Sequence, residues 1–235
     1  MTRRLFALVC LLLAAGFAAL GVWQLERRAW KLELIARVDA RIHAPPRLLT
    51  DLSGFRDADA YTRVRLKGRF QNDRETLVQA LTERGAGWWV VTPLRTPAGV
   101  VLVNRGFVPA PYRDPATRPP PSGPVEVTGL LRASEPGGGF LRSNDPASNR
   151  WFSRDVAAIA RARGLGEVAP VFIDAEADPG AGYPVGGLTV VAFRNAHLVY
   201  ALTWFGLAAL SLAGAVIVWR TGAVSRGEMV RPPAI

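Results

Sequence analysis

The stretch LFALVCLLLAAGFAALGVWQL, residues 5–25, carries no charged side chain, and neither does LVYALTWFGLAALSLAGAVIVW, residues 198–219, near the other end of the 235-residue chain. About 20 apolar residues at ~1.5 Å rise each cross the hydrocarbon core of a bilayer as a helix. No other run in the sequence is long enough. Between the two, the chain is polar, broken by proline and glycine, and apolar only in short strand-like runs. The sequence therefore predicts an N-terminal transmembrane helix at 1–25, an extramembrane domain at 26–197, a C-terminal transmembrane helix at 198–219 and a tail at 220–235. The middle segment is long enough for one well-buried domain and too short for two.

The formal net charge is +10. Arg3 and Arg4 before the first span, and Arg220, Arg226 and Arg231 after the second, fit a cytoplasmic location of both termini. Arg27, Arg28 and Lys31 oppose it, but a long domain translocates largely regardless of charge. The domain is thus expected on the periplasmic, extracytoplasmic side of the plasma (inner) membrane. The first apolar run exceeds a secretory h-region and ends in GVWQLERR without a small-residue cleavage site, so an uncleaved anchor is expected. Cys10, the single cysteine, lies inside that run. The loop can therefore form neither a disulfide nor a thiolate metal site. Its basic surface suits membrane lipid. Clustered Lys/Arg with interleaved aromatics is missing, which argues against nucleic acid.

Helical spacing of Leu32, Ile35 and Ala36 carries the first helix out of the membrane through 26–42, to stop before Pro45-Pro46. Residues 61–70 alternate, with Val64 and Leu66 facing one way and Arg65 and Lys67 the other; Gly68 marks a bulge or bend. Residues 75–80, 88–94 and 100–108 follow as short β runs separated by glycine and proline, which favours antiparallel hairpins. Residues 109–124 are proline-rich and read as extended polyproline. Residues 125–131 and 171–173 resume β character, and a short helix is expected from a Ser153 cap. Residues 178–187 form a loop. The fold class is membrane α+β: two transmembrane helices flanking a β-rich antiparallel sheet or barrel-like domain with one or two short helices.

The motif Gly21-Val-Trp23-Gln24-Leu-Glu-Arg27-Arg-Ala-Trp30-Lys31 resembles the opening of the Surfeit locus protein 1 family. Further matches follow in order: Tyr61-Thr-Arg-Val-Arg-Leu-Lys-Gly68-Arg-Phe70, Thr92-Pro93-Leu94, Val101-Leu-Val103-Asn104-Arg105-Gly106-Phe107-Val108-Pro109, Asn144-Asp145-Pro146 with Asn149, Trp151-Phe-Ser-Arg154-Asp155, and Asn195-Ala-His197-Leu-Val-Tyr200-Ala-Leu-Thr203-Trp204-Phe205. Phe107 departs from the tryptophan that the family pattern leads one to expect. The resemblance covers roughly residues 21–205. It implies assembly of haem–copper cytochrome c oxidase, with oxidase subunit I and the haem a synthesis machinery as partners and transient haem a as cofactor.

The residues themselves leave two interpretations open at each position. Trp23, Arg27 and Trp30 are spaced i, i+4, i+7 and share a helix face, with Lys31 beside it. They form either an interfacial aromatic and basic belt or a clamp for haem propionates. His197 is either an interfacial histidine or the axial ligand of haem iron, the metal-binding role that the resemblance implies. Tyr200 and Trp204, at i+3 and i+7 from it, either pack at the interface or line a porphyrin. Asn104-Arg105-Gly106 suggests a strand-end turn, with Arg105 a surface ion pair, a partner contact or a second propionate binder. Asn144-Asp145-Pro146 suggests an Asx turn. No nucleophile elbow, metal-ligand cluster or phosphate loop is present, so the chain is expected not to be an enzyme. The alternatives to a haem a chaperone are a haem-free scaffold for an oxidase assembly intermediate and an unrelated two-span anchor or sensor.

Overall fold

The computed structural model describes residues 2–52, 54–55, 59–178, 182–191 and 193–227. Arg231 of the tail and residues 179–181 of the expected loop lie outside them. Two compact units are present: Met1–Arg37 with Ala192–Ile235, and Val38–Val191. Among the described residues the elements are three α-helices, α1 (Thr2–His43), α2 (Val156–Ala162) and α3 (His197–Gly227), and nine strands. The strands are β1 (Arg47–Leu48), β2 (Arg63–Phe70), β3 (Thr76–Thr82), β4 (Gly85–Thr96), β5 (Gly99–Val108), β6 (Val125–Ala133), β7 (Gly138–Gly139), β8 (Arg142–Ser143) and β9 (Val168–Ala175).

In the helical unit, α1 and α3 are both long and apolar enough to cross a membrane. They pack against each other along small residues. Ala7, Cys10, Ala201 and Ala215 are buried. A Cβ added to Gly214 would lie 3.7 Å from Cys10 Sγ, and one added to Gly21 would strike the Phe205 ring at 2.5 Å. Phe17 stacks on Trp204 with ring centroids 5.6 Å apart. Rising residue numbers on α1 meet falling numbers on α3, so the pair is antiparallel. In lipid, where apolar surfaces gain nothing by leaving water, close backbone approach over glycine and alanine is what holds helices together.

The β-rich unit is a barrel. Neighbours run β1-β2-β6-β9-β5-β4-β3, and β2 also pairs with β4, which closes a ring of five strands. Closure rests on two register pairs, Arg69↔Arg95 and Phe70↔Leu94. Gly68 is where the strands come closest, because a Cβ there would lie 2.5 Å from the Arg95 carbonyl oxygen. The expected bulge at Gly68 is therefore a point of close approach within a regular strand. The antiparallel expectation also needs amending, because β5 and β9 pair in parallel, through Val100↔Val168 and Asn104↔Asp174 among others.

The apolar runs explain this seam. Val101, Val103, Val171 and Ile173 fill the barrel interior with Val64, Leu66, Leu94 and Leu131. Leu102 and Phe172, from the same strands, face outward under Ile159, Val156 and Trp151. Strands covered on both faces lose their alternation, and parallel pairs need such cover. Helix α2 supplies part of it. Its N-cap is Asp155, whose carboxylate accepts the Ala158 N–H at 3.0 Å. Ser153, expected as the cap, is buried and donates to the Glu135 carbonyl at 2.6 Å. Asn104-Arg105-Gly106 is no turn but the middle of β5. Two 3-10 turns, Ala110–Tyr112 and Pro115–Thr117, interrupt the proline-rich stretch expected to be extended.

A cysteine at Gly214 would fall within disulfide reach of Cys10 after a small adjustment. Mild oxidation of the Gly214→Cys protein should give one intramolecular disulfide, read as a mobility shift on a non-reducing gel. Cross-linking only between molecules, or none at all, would refute the helix pairing.

Candidate functional site

Helix α3 begins at His197. Its Nδ1 lies 2.7 Å from Gln24 Oε1 of α1. With the amide oxygen facing the ring, Nδ1 is the donor in this contact and Nε2 is the nitrogen that faces away from Gln24. Among the described residues Nε2 has no hydrogen-bond partner. Lys31, two helical turns beyond Gln24, places Nζ 5.2 Å from the centre of the Phe193 ring. The buried Oδ1 of Asn195, two residues before His197, accepts no hydrogen bond. One end of the helix pair thus gathers a half-buried imidazole with one open nitrogen, an ammonium and a buried oxygen lacking a donor.

The other predicted residues fall elsewhere. Trp23 and Trp30 are 53% and 43% exposed, on the side of α1 away from the packed one that carries Gly21 and Gln24. Arg27 is stacked on Trp30, with its guanidinium carbon 4.0 Å from the ring centre. Tyr200 is 56% exposed, and Trp204 is engaged by Phe17. The structure therefore joins His197 with Gln24 and sets Lys31 on the same face of α1. Trp23, Arg27, Trp30 and Tyr200 do not join them. Gln24 was missed as a partner; its signal is that it is the one amide in residues 5–25 and lies three and seven residues after Gly21 and Phe17.

Arg105 belongs to the β-rich unit. It is half-buried, 5.0 Å over the Phe70 ring, and pairs with no carboxylate within salt-bridge distance among the described residues. Burial pushes its guanidinium below the ordinary value, Glu75 opposes this, and the like charge of Arg118 adds to it. The expected surface ion pair is absent there. Glu75 instead takes a bidentate contact from the buried Arg118.

A second polar constellation lies on the outer side of the parallel seam. Asp174, 3% exposed, accepts from Asn104 Nδ2 at 2.8 Å and Arg154 Nη1 at 3.0 Å on Oδ1, and from Arg132 Nη1 at 2.6 Å on Oδ2. Arg154 also donates to both oxygens of Glu135. Phe172 lies beneath both guanidiniums. Burial opposes ionisation of Glu135, but the hydrogen bonds and charge of Arg154, with Arg132 beyond, hold its carboxyl below the usual value of 4.5. Two cations face two carboxylates here, so the cluster is a closed structural network.

The SURF1 family model matches residues 11–209 of the chain. Surfeit locus protein 1 of Homo sapiens is 37% identical over 225 residues, covering 86% of this chain and 73% of that protein. The Xenopus tropicalis protein of the same name is 37% identical over 221 residues, covering 85% and 71%. A SURF1-like protein of Monosiga brevicollis is 36% identical over 231 residues, covering 91% and 87%.

Removing the Asp174 carboxylate leaves Arg132 and Arg154 without their shared partner. Asp174→Ala should cost about 3–5 kcal/mol, read from urea unfolding of the detergent-solubilised chain by tryptophan fluorescence. Glu135 has a lowered folded-state pKa, so its contribution is complete above the unfolded value and is lost as pH falls through the folded one. Glu135→Gln should therefore flatten the loss of thermal stability as pH falls below the ordinary carboxyl value of 4.5, and leave the slope near neutrality unchanged.

Proposed function

We propose, from the premise that this chain belongs to the SURF1 family, that it is a membrane-anchored factor that carries haem a to subunit I during cytochrome c oxidase assembly. Family membership supports the role in oxidase assembly. The haem step rests on one observation, the 2.7 Å contact that fixes His197 Nδ1 on Gln24. An imidazole held through one nitrogen presents the other to a metal, the usual arrangement of metal-binding histidines. The donor set suits a haem: an imidazole nitrogen for iron and the Lys31 ammonium for a propionate. Haem a would supply an iron that takes a nitrogen ligand. His197 would bind it, Gln24 would hold the ring in the productive tautomer, and Lys31 would attract the carboxylate edge.

No catalytic role is proposed. The helix pair fits a two-span membrane protein. We place its termini in the cytoplasm from Arg3, Arg4 and Arg220, and the β-rich unit outside, at the plasma (inner) membrane. Oxidase subunit I and the enzymes that make haem a are the proposed partners. A haem-free scaffold is the alternative, and one contact favours it: Trp204, a candidate porphyrin wall, is already stacked on Phe17.

The test is the haem content and Soret band of the full chain purified after co-expression with haem a synthesis enzymes. His197→Ala should lose most of the haem. Gln24→Ala should lower affinity about tenfold or more, whereas Gln24→Glu, which still accepts from Nδ1, should retain it. Equal haem with an unchanged Soret band in His197→Ala would rule out ligation by His197.

A further inference from the structure

Leu81, Phe140 and Leu141 are 86%, 92% and 88% exposed, the most open large apolar side chains among the described residues. Leu81 is the penultimate residue of β3, beside the β3–β4 turn. Phe140 and Leu141 form the turn between β7 and β8. A groove of about 560 Å³ runs from Leu81 to Phe140 and is lined by Trp88, Phe152, Gln79 and Arg142. That volume lies within the range of sites that hold ligands or peptide side chains. Clustered exposed apolar groups of this kind mark interaction surfaces.

Its walls carry positive charge. Arg113 lies 4.8 Å over the Trp88 ring. Arg142 lies 5.5 Å over the Phe152 ring and donates to Gln79 Oε1 at 3.3 Å. Neither guanidinium is paired with a carboxylate among the described residues.

One side of the groove is an open strand edge. β3 is the last strand of the sheet. Among the described residues its free side is used at one place, where Trp151 lies parallel to Val78 and the Gln79 N–H donates to the Trp151 carbonyl at 2.8 Å. Main-chain groups of an antiparallel strand point to alternate sides, so Leu81 presents its N–H and C=O the same way as Gln79. Beyond Trp151 no other main-chain partner occupies that side among the described residues. Such an edge is a template for another strand.

We propose that this groove binds an extended segment of a partner protein as an added strand on β3, with apolar side chains against Leu81, Phe140 and Trp88 and acidic side chains facing Arg113 and Arg142. Main-chain pairing supplies affinity in this mode, and alternate side chains supply specificity. The free peptide groups at Leu81 favour a polypeptide over a lipid, because an acyl chain satisfies neither. The unpaired arginines select for acidic residues. Nothing in this proposal depends on haem.

The test uses the full chain in neutral-lipid nanodiscs and a fluorescein-labelled peptide of alternating Glu and Val with a central Phe, read by anisotropy. Saturable binding is expected. Replacing Glu with Lys, or N-methylating the backbone, should weaken it by at least about tenfold. Phe140→Ser and Arg142→Glu, both at exposed positions, should each weaken it, and Arg142→Glu should improve binding of the Lys peptide. Undiminished affinity of the N-methylated peptide would overturn strand addition. So would displacement by short-chain phosphatidylglycerol as effective as by unlabelled peptide, which would make the groove a lipid site. Absence of saturable binding would also overturn it.

Discussion

The Asp174 carboxylate holds the β-rich unit in register. It sits on β9 at the parallel seam, opposite Asn104 of β5 and Leu130 of β6. Its two oxygens accept from Asn104, Arg132 and Arg154, which come from β5, β6 and the segment before α2. A parallel pair has no hairpin to fix its alignment. A slip of one residue would turn Asp174 into the barrel and Ile173 out of it. The interior there is Val, Leu and Ile with the Thr92 hydroxyl as its one nearby polar group and no cation among the described residues, so the slipped state buries a charge without an ionic partner at a cost of several kcal/mol. The network therefore selects one alignment as well as stabilising it. Barrel closure between β2 and β4, with only two register pairs and the Gly68 approach, depends on a ring already held in register elsewhere.

The helical unit solves a different problem. Two apolar helices gain little from meeting in lipid, so shape and polar contacts decide their alignment. Gly21 against Phe205 and Gly214 against Cys10 let the backbones approach, and Phe17 on Trp204 fills the space between. Gln24 and His197 then fix one end through a single hydrogen bond. Such contacts are worth only about 0.6–2 kcal/mol in membranes. That suffices to orient a ring but not to hold the helices together, which makes the contact a positioning device.

Much of the architecture was legible because it follows from periodicity. Uncharged runs of bilayer length, the alternation of Val64 and Leu66 with Arg65 and Lys67, and the stop at Pro45-Pro46 are all local signals. The parallel seam was not legible, because two-sided burial removes alternation and pairing between β5 and β9 is set by contacts far apart in sequence. Asn104 illustrates the difficulty. Asn before Arg-Gly suggests a turn, yet its side chain is committed to Asp174, seventy residues away. Ser153 and Asp155 both satisfy cap chemistry, and only the demand of the Glu135 carbonyl for a donor decides between them. At the candidate site, helical spacing located Trp23, Arg27 and Trp30 on one face but could not say that α3 packs on another. Gln24 escaped notice because an amide at the end of an apolar run looks like an ordinary boundary residue until its partner is known.

The two polar constellations differ in what they leave over. Both oxygens of Asp174 are engaged, its cationic partners are shared with Glu135, and the charges balance. Such a site is committed to the fold. His197 is engaged at one nitrogen only, beside a cation and a buried oxygen that lacks a donor. An imidazole held on one side and open on the other is oriented without being used up, which is the condition a carrier needs if it is to take up a metal centre and release it again. The same reasoning separates Arg105 from Arg154, although both are half-buried arginines over aromatic rings. Arg154 has two carboxylates, and its guanidinium stays above the ordinary value despite burial. Arg105 has none within salt-bridge distance among the described residues, and burial lowers it despite the charge of Glu75. Of the two, only Arg105 retains donors for something outside the fold.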